Sequence, residues 1–232
     1  MFSLLGATEQ LHPWHLKNII GRRKLNMAED RLYSKLKAGK LAIGCSVRRG
    51  AYLVEHLARG GFDYFANDMM HGGLDWAEAE HMVVAGKLHG ISPTIRVNSM
   101  PWSGSTEPDR HLPAEIARAV SLGYTMVKWS FSSLKEVEQC IRMSSDWHRN
   151  VNPETGAGML ESEKQGKESV LVVPVAESIE AINMLEEVMQ VDGVRAVRIA
   201  GTDGSIAAGH PFEYDHPDVW RLMDKAIFVG WL

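Results

Sequence analysis

Glu177 and Asp203 are placed where carboxylates can do chemistry. Each follows a short apolar run. The first run is Val170-Leu171-Val172-Val173-Pro174-Val175, with an amphipathic stretch over 178–190 behind it. The second covers 194–200 and leads into Gly201-Thr202-Asp203-Gly204-Ser205. Short β-branched runs separated by a helical pattern suggest parallel strands buried on both faces. Both carboxylates then leave the carboxyl ends of strands, the end that carries the chemistry in parallel α/β folds. At one rim they repel each other unless a cation lies between them. A hard ion such as Mg²⁺ or Mn²⁺, bound through carboxylates plus water and substrate oxygens, meets that need. The plainer alternative has Glu177 capping the helix that follows and Asp203 stabilising a Gly-Thr-Asp-Gly turn. This stretch alone leaves both open.

Other polar groups follow the same placement. Asp68 and His71 come after a second run, and Arg96 lies inside the apolar segment 93–97. An arginine there is costly unless it faces a carboxylate or an anionic substrate. A structural ion pair with a neighbouring strand is the alternative. His71, three residues beyond Asp68, has the spacing of a base oriented by a carboxylate, and equally of a surface loop histidine. His56, His81 and His89 fall on helical segments and receive no role. Trp102 and Trp129 read as packing residues.

The elements that must position these groups recur with a βα rhythm. Strands are expected at 41–47, 62–66, 92–97, 125–129, 170–175 and 194–200. Helical patterns over 51–59, 74–89, 114–122, 133–143, 178–190 and 219–228 follow them, and a helix over 31–37 precedes the first strand. Pro174 cannot donate to a ladder and is expected to mark its strand's exit. This is the pattern of a doubly wound sheet or a (β/α)₈ barrel. No Gly-x-Gly-x-x-Gly follows the first strand and no Walker loop occurs, which argues against a dinucleotide or ATP fold. Residues 1–30 form an N-terminal extension ahead of a single domain over 31–232. Loops are expected at 98–111 and 144–167, the second long enough for a functional flap or partial disorder.

Composition sets the class. With 232 residues, 45% hydrophobic and 23% charged, the chain can bury one substantial core. A net charge of -4 gives no reason to expect nucleic acid or an anionic membrane. No apolar run approaches the roughly 20 residues needed to span a bilayer. The first residues make a poor signal peptide, lacking a basic segment. Cys45 and Cys140 stand apart, which fits a reducing cytoplasm and argues against a zinc-thiolate site.

In order, these pieces resemble the class II, metal-dependent pyruvate aldolases of the hydroxy-oxo-heptanedioate aldolase type, whose barrel is shared with the citrate lyase β-subunit group. The similarity covers residues 36–227. It rests on Gly60-Gly61-Phe62-Asp63 leading to Asp68-x-x-His71, on Pro93-x-x-Arg96, on Val175-Ala176-Glu177-Ser178, and on Asp192-Gly193-Val194 leading to Gly201-x-Asp203-x-Ser205. Met69-Met70 stand where the family has Gly-Glu, and Val175 where it has glutamine.

The resemblance implies a TIM (β/α)₈-type barrel, cut short after its sixth βα unit. It implies that Glu177 and Asp203 hold a divalent metal, Mg²⁺ or Mn²⁺, with Co²⁺ also admissible. Arg96 then stabilises the enolate oxygen, while His71 with Asp68 serves the proton transfers. The expected activity is cleavage of a 4-hydroxy-2-oxo acid to pyruvate and an aldehyde. Oxaloacetate decarboxylation on the same enolate is a close variant. The alternative from another class is a shortened, inactive homologue that acts as a binding or assembly partner. The substrate class is a small 2-oxo acid. A homo-oligomer is expected, because a barrel stopped at six strands leaves two unpaired edges. The apolar terminus 228–232 is expected to lie in that contact.

Overall fold

The computed structural model describes residues 31–99, 111–147 and 170–229. The extension 1–30, most of the two long loops and the last three residues lie outside them, as do the side chains of 145–147 and 226–229. The chain order is α1 (Arg31–Lys37), β1 (Gly44–Ser46), α2 (Ala51–Arg59), β2 (Tyr64–Asp68), α3 (Trp76–His89), β3 (Ser92–Arg96), α4 (Leu112–Leu122) and β4 (Met126–Ser130). It continues with α5 (Leu134–Trp147), β5 (Leu171–Ala176), α6 (Ile179–Asn183), α7 (Leu185–Gln190), β6 (Arg198–Ile199), α8 (Gly201–Ala207) and α9 (Pro217–Val229).

All six strands are parallel, and their order in the sheet is their order in the chain. That sequential winding is the succession of a barrel; a doubly wound sheet would reverse direction once. The described residues thus form six βα units of a TIM-type barrel, curled with the helices outside. No helix among the described residues is long and apolar enough to cross a membrane.

Helix boundaries follow local chemistry. Asp75 caps α3 by accepting from the Glu78 amide at 2.8 Å, and Gly90, at a φ of 65°, closes it in the left-handed conformation. Ser178 caps α6 by accepting from the Ala181 amide at 3.1 Å. At its N-terminal end the sheet is pinned by α1, where Lys35 Nζ lies 2.6 Å from the buried Asp63 carboxylate. Burial pushes that carboxyl up, but Lys35 and the Ile43 amide outweigh it and hold it below the usual range.

Alternation along the strands sorts side chains between two faces. Phe65, Ile95, Val127, Trp129, Val172 and Ala176 turn outward and pack with buried residues of the helices, among them Val54, Met82, Ile116 and Ile182. Gly86 of α3 lies so close to β2 that an added Cβ would stand 2.8 Å from Phe65 Cε1 and 3.0 Å from the Ile91 carbonyl oxygen. Alanine normally gains about 1 kcal/mol over glycine inside a helix. Here Gly86→Ala is expected to destabilise by about 1–3 kcal/mol, because the backbone cannot retreat. Urea denaturation measures the balance.

Four expectations differ in detail. Pro174 lies within β5, paired with Trp129, and does not mark the exit. The Leu171 amide donates to the carbonyl of Thr125, just before β4, so alternation turns the Pro174 nitrogen toward β6. Pairing with β6 begins only at Val175↔Arg198, so no ladder bond is lost. The helical stretch 178–190 breaks at Met184 into α6 and α7. The sixth strand pairs over two residues only. Finally, the segment read as a Gly-Thr-Asp-Gly turn is the first turn of α8. Its two glycines hid the helix; a Cβ at Gly204 would meet Met223 Cε at 2.4 Å, so that flexible side chain would have to move.

Candidate active site

The strand ends bring most of the singled-out residues onto the concave face. β2 ends on Asp68. Its Oδ1 accepts the amides of Met70 at 2.9 Å and His71 at 3.0 Å, folding the chain back so that His71 Nδ1 lies 3.2 Å from Oδ2. Burial pushes the Asp68 carboxyl up, yet the His71 amide and ring and the Met70 amide hold it below its ordinary range. With Oδ2 accepting from Nδ1–H, the imidazole presents Nε2 outward, and the side chain is 60% exposed.

β3 ends on Arg96, in register with Asp68 and only 8% exposed. Its Nη2 donates to Ser130 Oγ at 2.6 Å and to Glu177 Oε1. Glu177 leaves the end of β5, two strands away, so the pair crosses the concave face instead of bonding along the sheet. Arg96 Nε is buried and has no partner among the described residues. Ser130 is itself held by its amide donating to Ser99 Oγ at 3.1 Å. Because Ser178 caps α6, the Glu177 side chain is released for Arg96, and the capping alternative does not hold. Asp203 is exposed in the first turn of α8, after the end of β6, and makes no hydrogen bond or ion pair among the described residues.

The structure therefore joins Asp68 with His71, and Arg96 with Glu177, on strands whose order makes them neighbours of one rim. Asp203 stands beyond the next strand without contacting them. Sequence reasoning missed Ser130 and Lys128. Lys128 lies inside the apolar run of β4, in register with Arg96, and is 9% exposed. The argument that singled out Arg96, a charge within an apolar strand, applies to it equally. Burial pulls its ammonium down to about 8, with Arg198 and Arg96 adding to the fall and Asp68 opposing it.

Among the described residues, one group of three offers ligand atoms within 4.8 Å of one another: His210, Glu213 and His216, between α8 and α9. The two imidazoles stack at 3.3 Å with planes 17° apart. Their in-plane lone pairs run nearly parallel, so they cannot converge on one ion without a ring rotating. His210 Nε2 is 3.3 Å from Asp218 Oδ2, which makes the cluster a brace at the start of α9.

No protein-family model matches the chain. Among curated proteins it is 27% identical over 203 residues to a pyruvate aldolase of Rhizobium etli, covering 83% of this chain and 75% of that one. It is 27% identical over 188 residues to a 2-dehydro-3,6-dideoxy-6-sulfogluconate aldolase of Pseudomonas putida, covering 76% and 68%. It is 26% identical over 203 residues to the 2-keto-3-deoxy-L-rhamnonate aldolase of Escherichia coli K12, covering 83% and 72%. In fold it matches an HpcH/HpaI aldolase from Desulfitobacterium hafniense with a TM-score of 0.71 at 21% identity, over 86% of this chain and 77% of that one. The citrate synthase SbnG matches at a TM-score of 0.73 and 17% identity, with the same coverage. By its sequence relatives and its barrel together, the chain is similar to pyruvate-type aldolases, the HpcH/HpaI aldolases among them.

Proposed function

We propose that the protein is a lyase that cleaves a 4-hydroxy-2-oxo acid into pyruvate and an aldehyde. The observation that carries this reading is Arg96. It is a buried cation held by Glu177 and Ser130, with Nε unused, one strand from the Asp68–His71 pair. Retro-aldol cleavage needs a cation where an oxygen gains charge and a base where a proton leaves.

In this reading His71 Nε2 takes the proton of the C4 hydroxyl, directly or through one water. The O–H electron pair forms the aldehyde carbonyl as the C3–C4 bond breaks; that bond's pair becomes the C2=C3 double bond, and the carbonyl π pair moves onto the 2-oxo oxygen. Arg96, with Nε as the open donor, stabilises the negative charge there. The proton then returns to C3 and completes pyruvate. Asp68 keeps the imidazole in the tautomer that can accept.

The donor set suits a divalent cation. Glu177 commits only Oε1 to Arg96, Asp203 is uncommitted among the described residues, and both supply hard oxygens. These two residues would hold Mg²⁺ or Mn²⁺, with Co²⁺ admissible and water or substrate oxygens completing the shell. When bound, such an ion adds Lewis acidity at the 2-oxo group. Glu177→Gln and Asp203→Asn are each expected to abolish Mn²⁺ binding in titration calorimetry while leaving the circular dichroism spectrum intact. Binding equal to the parent's in either variant would refute the assignment.

The overall test is pyruvate release from 4-hydroxy-2-oxo acids, and from oxaloacetate in parallel, with Mg²⁺ present and after EDTA. Release that EDTA stops supports the reading. No release from any of them leaves the inactive-homologue alternative.

We further infer a cytoplasmic homo-oligomer. Cys45 is an exposed thiol. Leu41 and Ile43, beside the β1 edge, are 80% and 55% exposed, and Val84 and Leu88 stand out from α3. Apolar surface next to the edge of a sheet, which β1 forms among the described residues, favours association. Sedimentation velocity is expected to show a stable oligomer; a monomer at all concentrations would refute this.

A further inference from the structure

We propose that Lys128 binds the carboxylate of the 2-oxo acid, as a positioning contact on the floor of the site; this rests on the aldolase reading above.

The register of the sheet places Asp68, Arg96 and Lys128 in one row across β2, β3 and β4. In-register neighbours of a parallel sheet share a face, and adjacent strands lie about 4.8 Å apart. Two cations therefore stand side by side on the concave face, each more than nine-tenths buried. Arg96 reaches up one layer to Ser130 and finds Glu177. Lys128 has no such partner: its ammonium makes no hydrogen bond or ion pair among the described residues.

The surroundings offer it little. On β5 its in-register partner is Val173, and on β6 the nearby charge is Arg198, of the same sign. Asp68 attracts it, but both oxygens of that carboxylate already face the amides of Met70 and His71 or the His71 ring. A buried ammonium without a counter-charge is costly, and its lowered proton affinity records that cost.

An anion entering from the rim removes the imbalance. The ligand class follows from the geometry: a small carboxylate whose neighbouring oxo oxygen lies within reach of Arg96 on the adjacent strand. A 2-oxo acid has both groups on adjacent carbons. A charge-assisted hydrogen bond from Lys128 would then fix the end of the substrate that does not react.

The test uses the full chain with Mg²⁺ and compares Lys128→Met and Lys128→Arg with the parent. Pyruvate affinity is measured by titration calorimetry, and kcat and KM by pyruvate release. Lys128→Met is expected to weaken pyruvate binding and raise KM, each by about 10- to 100-fold, the range for losing one hydrogen bond to a charged group. Its kcat should change by only a few fold. Lys128→Arg keeps the charge and should recover much of the affinity, which a purely structural role would not predict. Methionine fills similar apolar space and removes an unpaired charge, so its melting temperature should be no lower than the parent's.

Unchanged pyruvate affinity in Lys128→Met, no pyruvate binding by the parent, or a borohydride-trapped pyruvate adduct on Lys128 would each overturn the proposal. Pyruvate binding that depends on Lys128, without cleavage of any 4-hydroxy-2-oxo acid, would sink the aldolase reading and leave the carboxylate site standing. Normal cleavage with an indifferent Lys128→Met would do the reverse.

Discussion

Replacing Arg96 is expected to damage both catalysis and folding. Arg96→Met removes the donor at the developing enolate, a loss of about 10²–10³ in kcat by comparison with oxyanion-site donors. It also leaves Glu177 facing a site without its cation. Breaking one side of a buried pair costs about 3–5 kcal/mol. The Glu177 side chain is 17% exposed, so the lower end of that range is expected. Arg96→Lys should rescue little of the rate. An ammonium cannot bridge Ser130 and Glu177 and still offer a further planar donor. Adding Glu177→Gln to Arg96→Met should recover part of the stability, since no unpaired carboxylate remains, but none of the activity. Urea unfolding and steady-state kinetics of the three variants separate the two effects. Parental kcat in Arg96→Met would remove the central element of the proposed mechanism.

The second large effect is expected at His71. Loss of a general acid–base group typically slows the step by about 10²–10⁴-fold, and His71→Ala should fall in that range with Mn²⁺ binding unchanged. Asp68→Asn should be harmful for a different reason. An amide can donate to Nδ1 and so favour the tautomer in which Nε2 carries the hydrogen. Single-turnover pyruvate release at saturating Mn²⁺ measures both losses. A fully active His71→Ala would return this exposed side chain to the role of a surface histidine.

The resemblance and the strand-end placement named Asp68, His71, Arg96, Glu177 and Asp203 in advance, yet they did not establish what each touches. Arg96 shows the limit. Its burial followed from an apolar run, but its partner lies 81 residues away in the chain. Glu177 shows another. Capping and rim chemistry were equally open until Ser178 took the cap and freed the carboxylate. Helix α8 stayed hidden because glycines lower helix propensity, and only the fold shows Gly204 lying against Met223 of α9.

What the sequence by itself determined was the alternation of apolar strands and amphipathic helices, and hence the βα succession, because burial of periodic apolar faces is a local property. Only the tertiary structure decided the register that sets Asp68, Arg96 and Lys128 in one row. Register depends on contacts between segments far apart in the chain. Shifting one strand by a single residue would turn its side chains to the other face. In the sequence Lys128 is only a charge inside an apolar strand, with nothing to say what stands beside it. On the folded sheet it is a buried cation beside a second one.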